Sequence, residues 1–317
     1  MKRYSIAMPQ VIFELGKREN QEDSIFPLPG QATAESRLFL VCDGMGGHAK
    51  GEVASATVCQ AISEYMQAHV QPGSPFTSDD FGQVLAFAYQ ELDKEDDGTA
   101  YRKMGTTLTM IYFHADGCLA AHIGDSRIYH IRPSRHQIEY RSKDHSLVYA
   151  LFEAGEITEE EMYTSPQRNV LTRAMMPHQD SPATATICQL TDVLPGDYFF
   201  LCSDGMLEKL KDNELLNVVC DEILTDEQKI NTLNELTKNN ADNRSAYLVH
   251  ITAIDTEEPV NTSDHKIEDE SLPKVEEPST PVEQPVKVPD EQPKPNKKSK
   301  NFFYHILNFF FNKKSEE

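Results

Sequence analysis

The sequence predicts an α+β layered fold, on three observations. Short apolar runs at 38–42, 106–113, 118–124, 126–132 and 198–202 are separated by polar or glycine-bearing turns, as in strands joined by hairpins into antiparallel sheet. Helical spacing is confined to separate blocks, at 53–70, 79–94, 212–223 and 226–238, and does not alternate with every strand. The chain has 317 residues, 39% hydrophobic and 26% charged, enough to bury a sizeable core.

Each element has a local reason. LFLVC at 38–42 is a continuous apolar run stopped by a glycine-rich turn, as a buried strand would be. Residues 53–70 carry small and apolar side chains at helical spacing, and 79–94 repeat the pattern. The runs from 106 to 132 are β-rich and joined by short polar turns. The span 144–182 has weak periodicity and reads as a mobile excursion from the core. Residues 198–202 form another buried strand, ending at a Ser-Asp-Gly turn, and a final strand falls at 245–254. Composition then changes. Eight of the 18 prolines lie between Pro259 and Pro295 among Glu, Lys, Ser and Thr, so 255–300 reads as a disordered, partly polyproline linker after a domain at 1–254. There are no internal repeats.

Lys and Arg total 30 against 51 Asp and Glu, a formal charge of −21. That balance argues against nucleic acid, whose phosphates need clustered cations. It suits divalent cations, though excess carboxylates are more often a solvated surface. The start, MKRYSIAMPQ, has no continuous apolar core of a secretory signal, and no stretch approaches about 18 apolar residues. Six cysteines without C-x-x-C spacing read as buried free thiols, and a reducing cytoplasm is the expected compartment.

The acidic residues are placed informatively. Asp43, Asp125 and Asp204 each end an apolar run beside a glycine; Glu22 and Asp23 lie in a polar turn; Asp242 precedes the last strand. A carboxylate at a strand end is held rigidly while its head faces a cleft, and an adjacent glycine lets backbone carbonyls approach a ligand. Converging carboxylates stay ionised only if a cation neutralises them. All-oxygen donors imply Mg²⁺ or Mn²⁺ over zinc. Taken singly, any Asp-Gly pair is equally a turn-former.

These residues stand in an ordered series that resembles the metal-dependent protein phosphatases (PPM), the type 2C Ser/Thr class, in its bacterial form. Arg18-Glu19-Asn20-Gln21-Glu22-Asp23 looks like that family's first motif, and Asp43-Gly44-Met45-Gly46-Gly47-His48 with Gly51-Glu52 like its second. Gly105-Thr106-Thr107, Gly124-Asp125-Ser126-Arg127, Asp144-His145-Ser146, Ser203-Asp204-Gly205 and Asp242-Asn243 follow in the same order, covering about 10–254. The resemblance implies a four-layer α-β-β-α sandwich with two central antiparallel sheets and a flap subdomain at about 144–182. It implies that Asp43 bridges two metal ions, that Glu22, Asp204 and Asp242 complete one, directly or through water, and that the Gly44 carbonyl binds the other. Asp23 would orient metal-bound water, Asp125 with Asp204 would offer a third metal position, and Arg18 would clamp the substrate phosphate. The cofactor is then two or three Mg²⁺ or Mn²⁺ ions. The chemistry is attack of a metal-bridging water on phosphorus, with Arg18 suited to its role by its planar fork. Arg18 also has the simpler reading of a surface ion pair.

The sequence departs from the family pattern in places. Met45 stands where one branch carries a histidine proposed as general acid. His48 is close by, either a working group or a polar residue of the glycine-rich turn. Gln21 replaces a common asparagine, and Asn243-Arg244-Ser245 replaces a more usual Asn-x-Thr. Gly155, Ile157, Asn169 and Leu171-Thr172-Arg173-Ala174 match flap landmarks, but Met175-Met176-Pro177 stands where a glycine often follows. His122 reads as a core histidine.

The tail at 301–317 stands apart. Phe302, Phe303, Ile306, Leu307 and Phe310 share one helical face, with Lys297, Lys298 and Lys300 before and Lys313 and Lys314 after. Eleven helical residues span about 16 Å, short of the roughly 30 Å hydrocarbon core. The tail reads as an in-plane membrane anchor or a partner-docking helix, or as a segment packing back on the domain. The functional expectation is hydrolysis of phosphoserine and phosphothreonine on proteins, opposing a Ser/Thr kinase. The alternative is a phosphatase-like binding or scaffold module without turnover.

Overall fold

Antiparallel strands that are apolar along their whole length need cover on both faces. The chain meets this by stacking two sheets and closing each outer face with helices. The computed structural model describes residues 2–46, 50–96 and 104–256. In it the chain runs β1 (Lys2–Ile6), β2 (Gln10–Glu14), β3 (Asp23–Phe26), β4 (Leu38–Met45), α1 (Lys50–His69), α2 (Ser78–Glu95), β5 (Gly105–Thr106), β6 (Leu108–His114), β7 (Gly117–Ile123), β8 (Arg127–Arg132) and β9 (Gln137–Arg141). There follow α3 (Leu147–Glu153), α4 (Glu159–Thr164), β10 (Thr186–Leu190), β11 (Tyr198–Cys202), α5 (Asp204–Leu207), α6 (Asp212–Val219), α7 (Asp226–Thr237) and β12 (Arg244–Thr256).

One sheet has the order β1-β12-β11-β8-β9, with β2 also on β12; the other has the order β10-β7-β6-β4-β3, with β5 on β4. Alternation along each strand assigns its side chains to layers. Phe39 and Val41 of β4 meet Phe199 and Leu201 of β11 and Tyr247 and Val249 of β12 between the sheets. Leu38, Leu40 and Cys42 point the other way, onto Val58 and Ile62 of α1 and Phe81 and Val84 of α2. Tyr198, Phe200 and Cys202 pack outward against Leu215, Val219, Ile230 and Leu233 of α6 and α7. The four-layer expectation is met.

Several details differ from the sequence reading. The flap carries two short helices, α3 and α4, with a small core of Val148, Tyr149 and Met162. Helices of seven and six residues are too short to display a period, which is why the span looked irregular. A bridge from Ser146 to Leu171 closes the flap on itself, and one from Thr106 to Met175 fastens it to the body. The helix expected over 212–223 ends at Val219, before the acidic Asp221 and Glu222 that would oppose its C-terminal dipole. Strands β1, β2, β3, β9 and β10 were not foreseen; polar residues such as Lys2, Gln10, Glu139 and Gln189 interrupt them, because they lie toward the sheet margins. All six cysteines are free. Among the described residues no helix is long and apolar enough to cross a membrane. The linker beyond Thr256 and the tail lie outside the described residues.

Away from the acidic motifs, a buried polar group pins β8 to β11. Asp197, 1% exposed, accepts from Arg132 Nε at 3.0 Å and Nη2 at 2.9 Å, and from the Leu194 N–H at 2.8 Å. Its other neighbour is His130 Nε2 at 2.7 Å. Burial alone would raise this carboxyl, but the bonds from His130, Arg132 and Leu194 outweigh it and hold it below the ordinary carboxylate range. A depressed carboxyl contributes stability above its unfolded pKa, and that contribution is lost as pH falls through the folded value. Asp197→Asn should therefore cost about 3–5 kcal/mol in urea unfolding at neutral pH. It should also remove part of the stability that the wild type loses below about pH 4. A variant as stable as the wild type at pH 7 would refute this.

Candidate metal centre

The strand register assembles the site. β3 pairs with β4 so that Asp23 faces Asp43 across the ladder. β11 pairs with β12 from Cys202 opposite Ala246, so the residues just beyond, Asp204 and Asp242, arrive at the same end. Between them Gly205 is obligatory: a Cβ there would stand 1.9 Å from the Asn243 carbonyl. Glu22, Asp43, Gly44, Asp125, Asp204 and Asp242 all line one cleft of about 760 Å³, with Arg18 on its wall and Asn169, Thr172, Arg173 and Met176 of the flap facing them.

Neutral groups fix the backbone beneath these carboxylates. The Asp43 N–H donates to Thr107 Oγ1 at 2.9 Å and the Asp43 carbonyl accepts from the Thr107 N–H at 2.8 Å. Thr107 Oγ1 also meets Ser126 Oγ at 2.8 Å. Asn243 Oδ1 accepts from the Glu22 N–H at 2.9 Å, while its Nδ2 donates to the carbonyls of Leu15 and Asn20. Asp23 is 4% exposed, behind the cleft, and accepts from Ser203 Oγ at 2.8 Å. Gly44 donates to the Glu22 carbonyl at 3.1 Å, and a Cβ on it would fall 2.2 Å from the Gly51 carbonyl oxygen. Only glycine lets these backbones approach so closely.

The electrostatics follow from crowding. Burial pushes Asp43 well above the ordinary carboxylate range, and the charges of Asp204, Asp23 and Asp125 push further. Burial, then Asp242, lifts Asp204 to about 6, opposed by its hydrogen bond to Asp43. Asp23 is raised to about 7 by burial despite its serine donors, and Asp125 is raised by burial, Asp204 and Asp144. Arg18 Nη2 relieves part of this repulsion, donating to Asp242 Oδ2 at 2.6 Å.

Do these residues suit a divalent cation? Among the described residues no three His, Cys, Asp or Glu side chains already form a closed cage. The donor set nevertheless fits: it is all oxygen, its carboxylates suppress one another's ionisation, and Asp204 Oδ1 is buried without any hydrogen-bond partner. Glu22, Asp43, the Gly44 carbonyl, Asp204 and Asp242 are the groups that would hold such ions, with Asp125 beside Asp204.

The expected positions need three corrections. Asp43 lies inside β4, two residues before its end, because β5 pairs with Gly44 and Met45 and prolongs the strand. Asp23 is the first residue of β3, not part of a turn, held there by its pairing with Asp43. Asp204 opens the short helix α5. Arg18 pairs with Asp242, as the simpler of its readings expects, and it also lines the cleft. His122 is buried, its Nε2 bonded to the Lys143 carbonyl at 2.8 Å. His48 lies outside the described residues. Sequence reasoning assigned no role to Thr107, Ser203 or Asn243, though each sits inside a quoted motif. It also missed the buried ion pair of Arg127 with Asp144, whose two bonds of 2.7 Å lie under the Asp125 turn.

A family model described as Protein phosphatase 2C matches residues 15–239. The chain belongs to the protein phosphatase 2C family. Among its relatives in the family, the Serine/threonine protein phosphatase PstP of Mycobacterium tuberculosis is 34% identical over 210 residues, which is 64% of this chain. The match spans only 36% of that protein. A Putative protein phosphatase 2C-type of Streptococcus pyogenes is 30% identical over 251 residues, 76% of this chain and 96% of the relative. The crystal structure of the catalytic domain of PstP in complex with two manganese ions superposes with a TM-score of 0.64 at 28% identity, covering 78% of this chain and 99% of that one. The manganese belongs to that structure; the phosphatase 2C fold and its two sheets are common to both.

Raised carboxyls contribute stability at low pH and lose it as pH rises through their folded values. In EDTA the domain should therefore lose stability between about pH 4 and the raised values, about 6 for Asp204 and about 7 for Asp23. Asp43→Asn should raise the EDTA melting midpoint at pH 8 and abolish any rise on adding Mn²⁺, as followed by calorimetry. A midpoint lowered in EDTA would contradict the repulsion.

Proposed function

We propose that this chain is a metal-dependent Ser/Thr protein phosphatase acting on phosphoserine and phosphothreonine in proteins. The observation that carries this is the convergence of five carboxylates, Glu22, Asp43, Asp125, Asp204 and Asp242, on one cleft whose wall bears Arg18. Divalent ions held there would supply an acidified water and stabilise charge on the attacking and leaving oxygens. The chain's own residues do the rest. Arg18, with its side chain 50% exposed, can turn its planar fork from Asp242 to a phosphoryl group. Asp23 sits behind the carboxylates, oriented by Ser203, where it can order water without meeting the substrate. Leu171, Ala174 and Met176 of the flap add apolar side chains to the opposite wall.

No cysteine is placed to attack phosphorus among the described residues. Cys42 and Cys202 pack toward the helical layers, and burial pushes both thiols up, so neither offers a thiolate. Direct hydrolysis therefore suits the site better than a phosphocysteine route. The silent scaffold finds no support, since a chain freed from turnover has no reason to keep every one of these mutually repelling carboxylates.

The partners we propose are phosphorylated proteins opposed to a Ser/Thr kinase in signalling, in the cytoplasm. Beyond the domain at 1–254 we propose a linker at 255–300 and an amphipathic tail at 301–317 that brings the enzyme to a membrane surface.

Turnover of a phosphothreonine peptide should require Mn²⁺ or Mg²⁺, stop in EDTA, and vanish in Asp43→Asn; a folded wild type inactive with both metals would overturn the assignment. Arg18→Ala should lower kcat/KM roughly tenfold to a hundredfold, the size of one lost charge-assisted contact. For the tail, the full chain should float with anionic liposomes while a 1–256 truncation stays behind. Equal behaviour of the two would remove the membrane role.

A further inference from the structure

Among the described residues no side chain hydrogen-bonds to the Asp125 carboxylate; the residues on either side of it are the ones held in place. Ser126 is tied to Thr107, which also carries Asp43. Gly124 is gripped by His145 twice: its carbonyl accepts from the His145 N–H at 2.8 Å, and its N–H donates to His145 Nδ1 at 3.2 Å. Gly124 has φ +103, a conformation only glycine adopts easily, so the turn needs outside support. With Nδ1 accepting, the ring proton lies on Nε2, which donates to Thr186 Oγ1 of β10 at 2.9 Å. The His145 carbonyl accepts from the Thr172 N–H of the flap at 2.8 Å. The ring is stacked on His122 at 4.5 Å and 13°, and His122 in turn bonds the Lys143 carbonyl.

Burial, with His122 and Arg173 adding to it, pushes the His145 imidazole down to about 3, so the Nδ1 lone pair stays available at neutral pH. Arg173 Nη1, 3.4 Å from Nε2, also lines the cleft. His145 thus touches the turn bearing Asp125 and the margin of the second sheet with its ring, and the flap at Thr172 with its backbone carbonyl.

We infer that His145 is the positioning residue for the Asp125 carboxylate, its ring clamping the turn at Gly124 against Thr186 of β10 while its carbonyl ties the same residue to the flap at Thr172. Cation affinity at Asp125 and seating of the flap are then linked, and each favours the other. This rests on reading Asp125 as a metal carboxylate, as proposed above. A merely packed histidine would tolerate a ring of similar shape, whereas a clamp needs the acceptor nitrogen.

The test uses the full chain, with two readouts: Mn²⁺ titration by calorimetry, and hydrogen exchange of the Gly124 amide in EDTA. His145→Phe keeps the stack and removes both nitrogens; it should weaken the weakest Mn²⁺ site roughly tenfold or more and speed Gly124 exchange. His145→Asn places an acceptor oxygen near the Nδ1 position and should recover most of both. Wild-type Mn²⁺ affinity and Gly124 protection in the Phe variant would overturn the inference, as would an Asn variant no better than Phe. Should His145→Phe fail to fold, Thr186→Val, which removes only the Nε2 partner, should shift both readouts in the same direction; no shift would overturn it. A wild type that binds no Mn²⁺ would instead overturn the metal-centre reading, while the exchange rate in EDTA still judges the clamp.

Discussion

Buried carboxylates repel one another, and the placement of Asp43 against Asp204, Asp23 and Asp125 concentrates that repulsion at one end of two sheets. A fold holding such a cluster must supply rigidity from elsewhere, because the charges themselves push apart. The source here is backbone pairing. Asp43 and Asp23 are opposed in one ladder, and the strands leading to Asp204 and Asp242 are opposed in the other. Hydrogen-bonded ladders with apolar faces packed on both sides cannot relax to let the acids separate. The core therefore stores the tension that makes a cation welcome.

A shell of neutral side chains completes the device. Thr107, Ser203 and Asn243 each satisfy a backbone or carboxylate group of an acid, and Ser126 braces Thr107, all without adding charge. Hydroxyls and amides hold geometry while leaving the charge count to whatever binds the acids. Arg18 is the exception, a half-exposed positive group paired with Asp242 on the wall of the cleft.

The sequence showed the central strands plainly, because 38–42 and 198–202 are apolar on both faces and admit no other reading. The marginal strands were hidden for the opposite reason: β9 and β10 carry polar residues at every second or third position, which single-face burial permits. Among site residues, Asp43, Asp204 and Asp242 were legible because each sits next to a glycine or a strand end. The roles of Thr107, Asn243 and His145 were not, because they depend on which backbone atom lies opposite, which only the register decides. The extra length of β4 past Asp43 was invisible too, since it comes from pairing with the two residues of β5.

The flap has a core of its own, three buried side chains held to the body by the Thr106–Met175 bridge and a few hydrogen bonds. So small a core is worth far less than the sandwich beneath it, so the flap is a separate cooperative unit at the weak end of the molecule's stability range. On warming, it would let go while the sheets remain intact. The cleft would then lose the wall formed by Asn169, Thr172, Arg173 and Met176 at a lower temperature than the carboxylates at the sheet ends lose their positions.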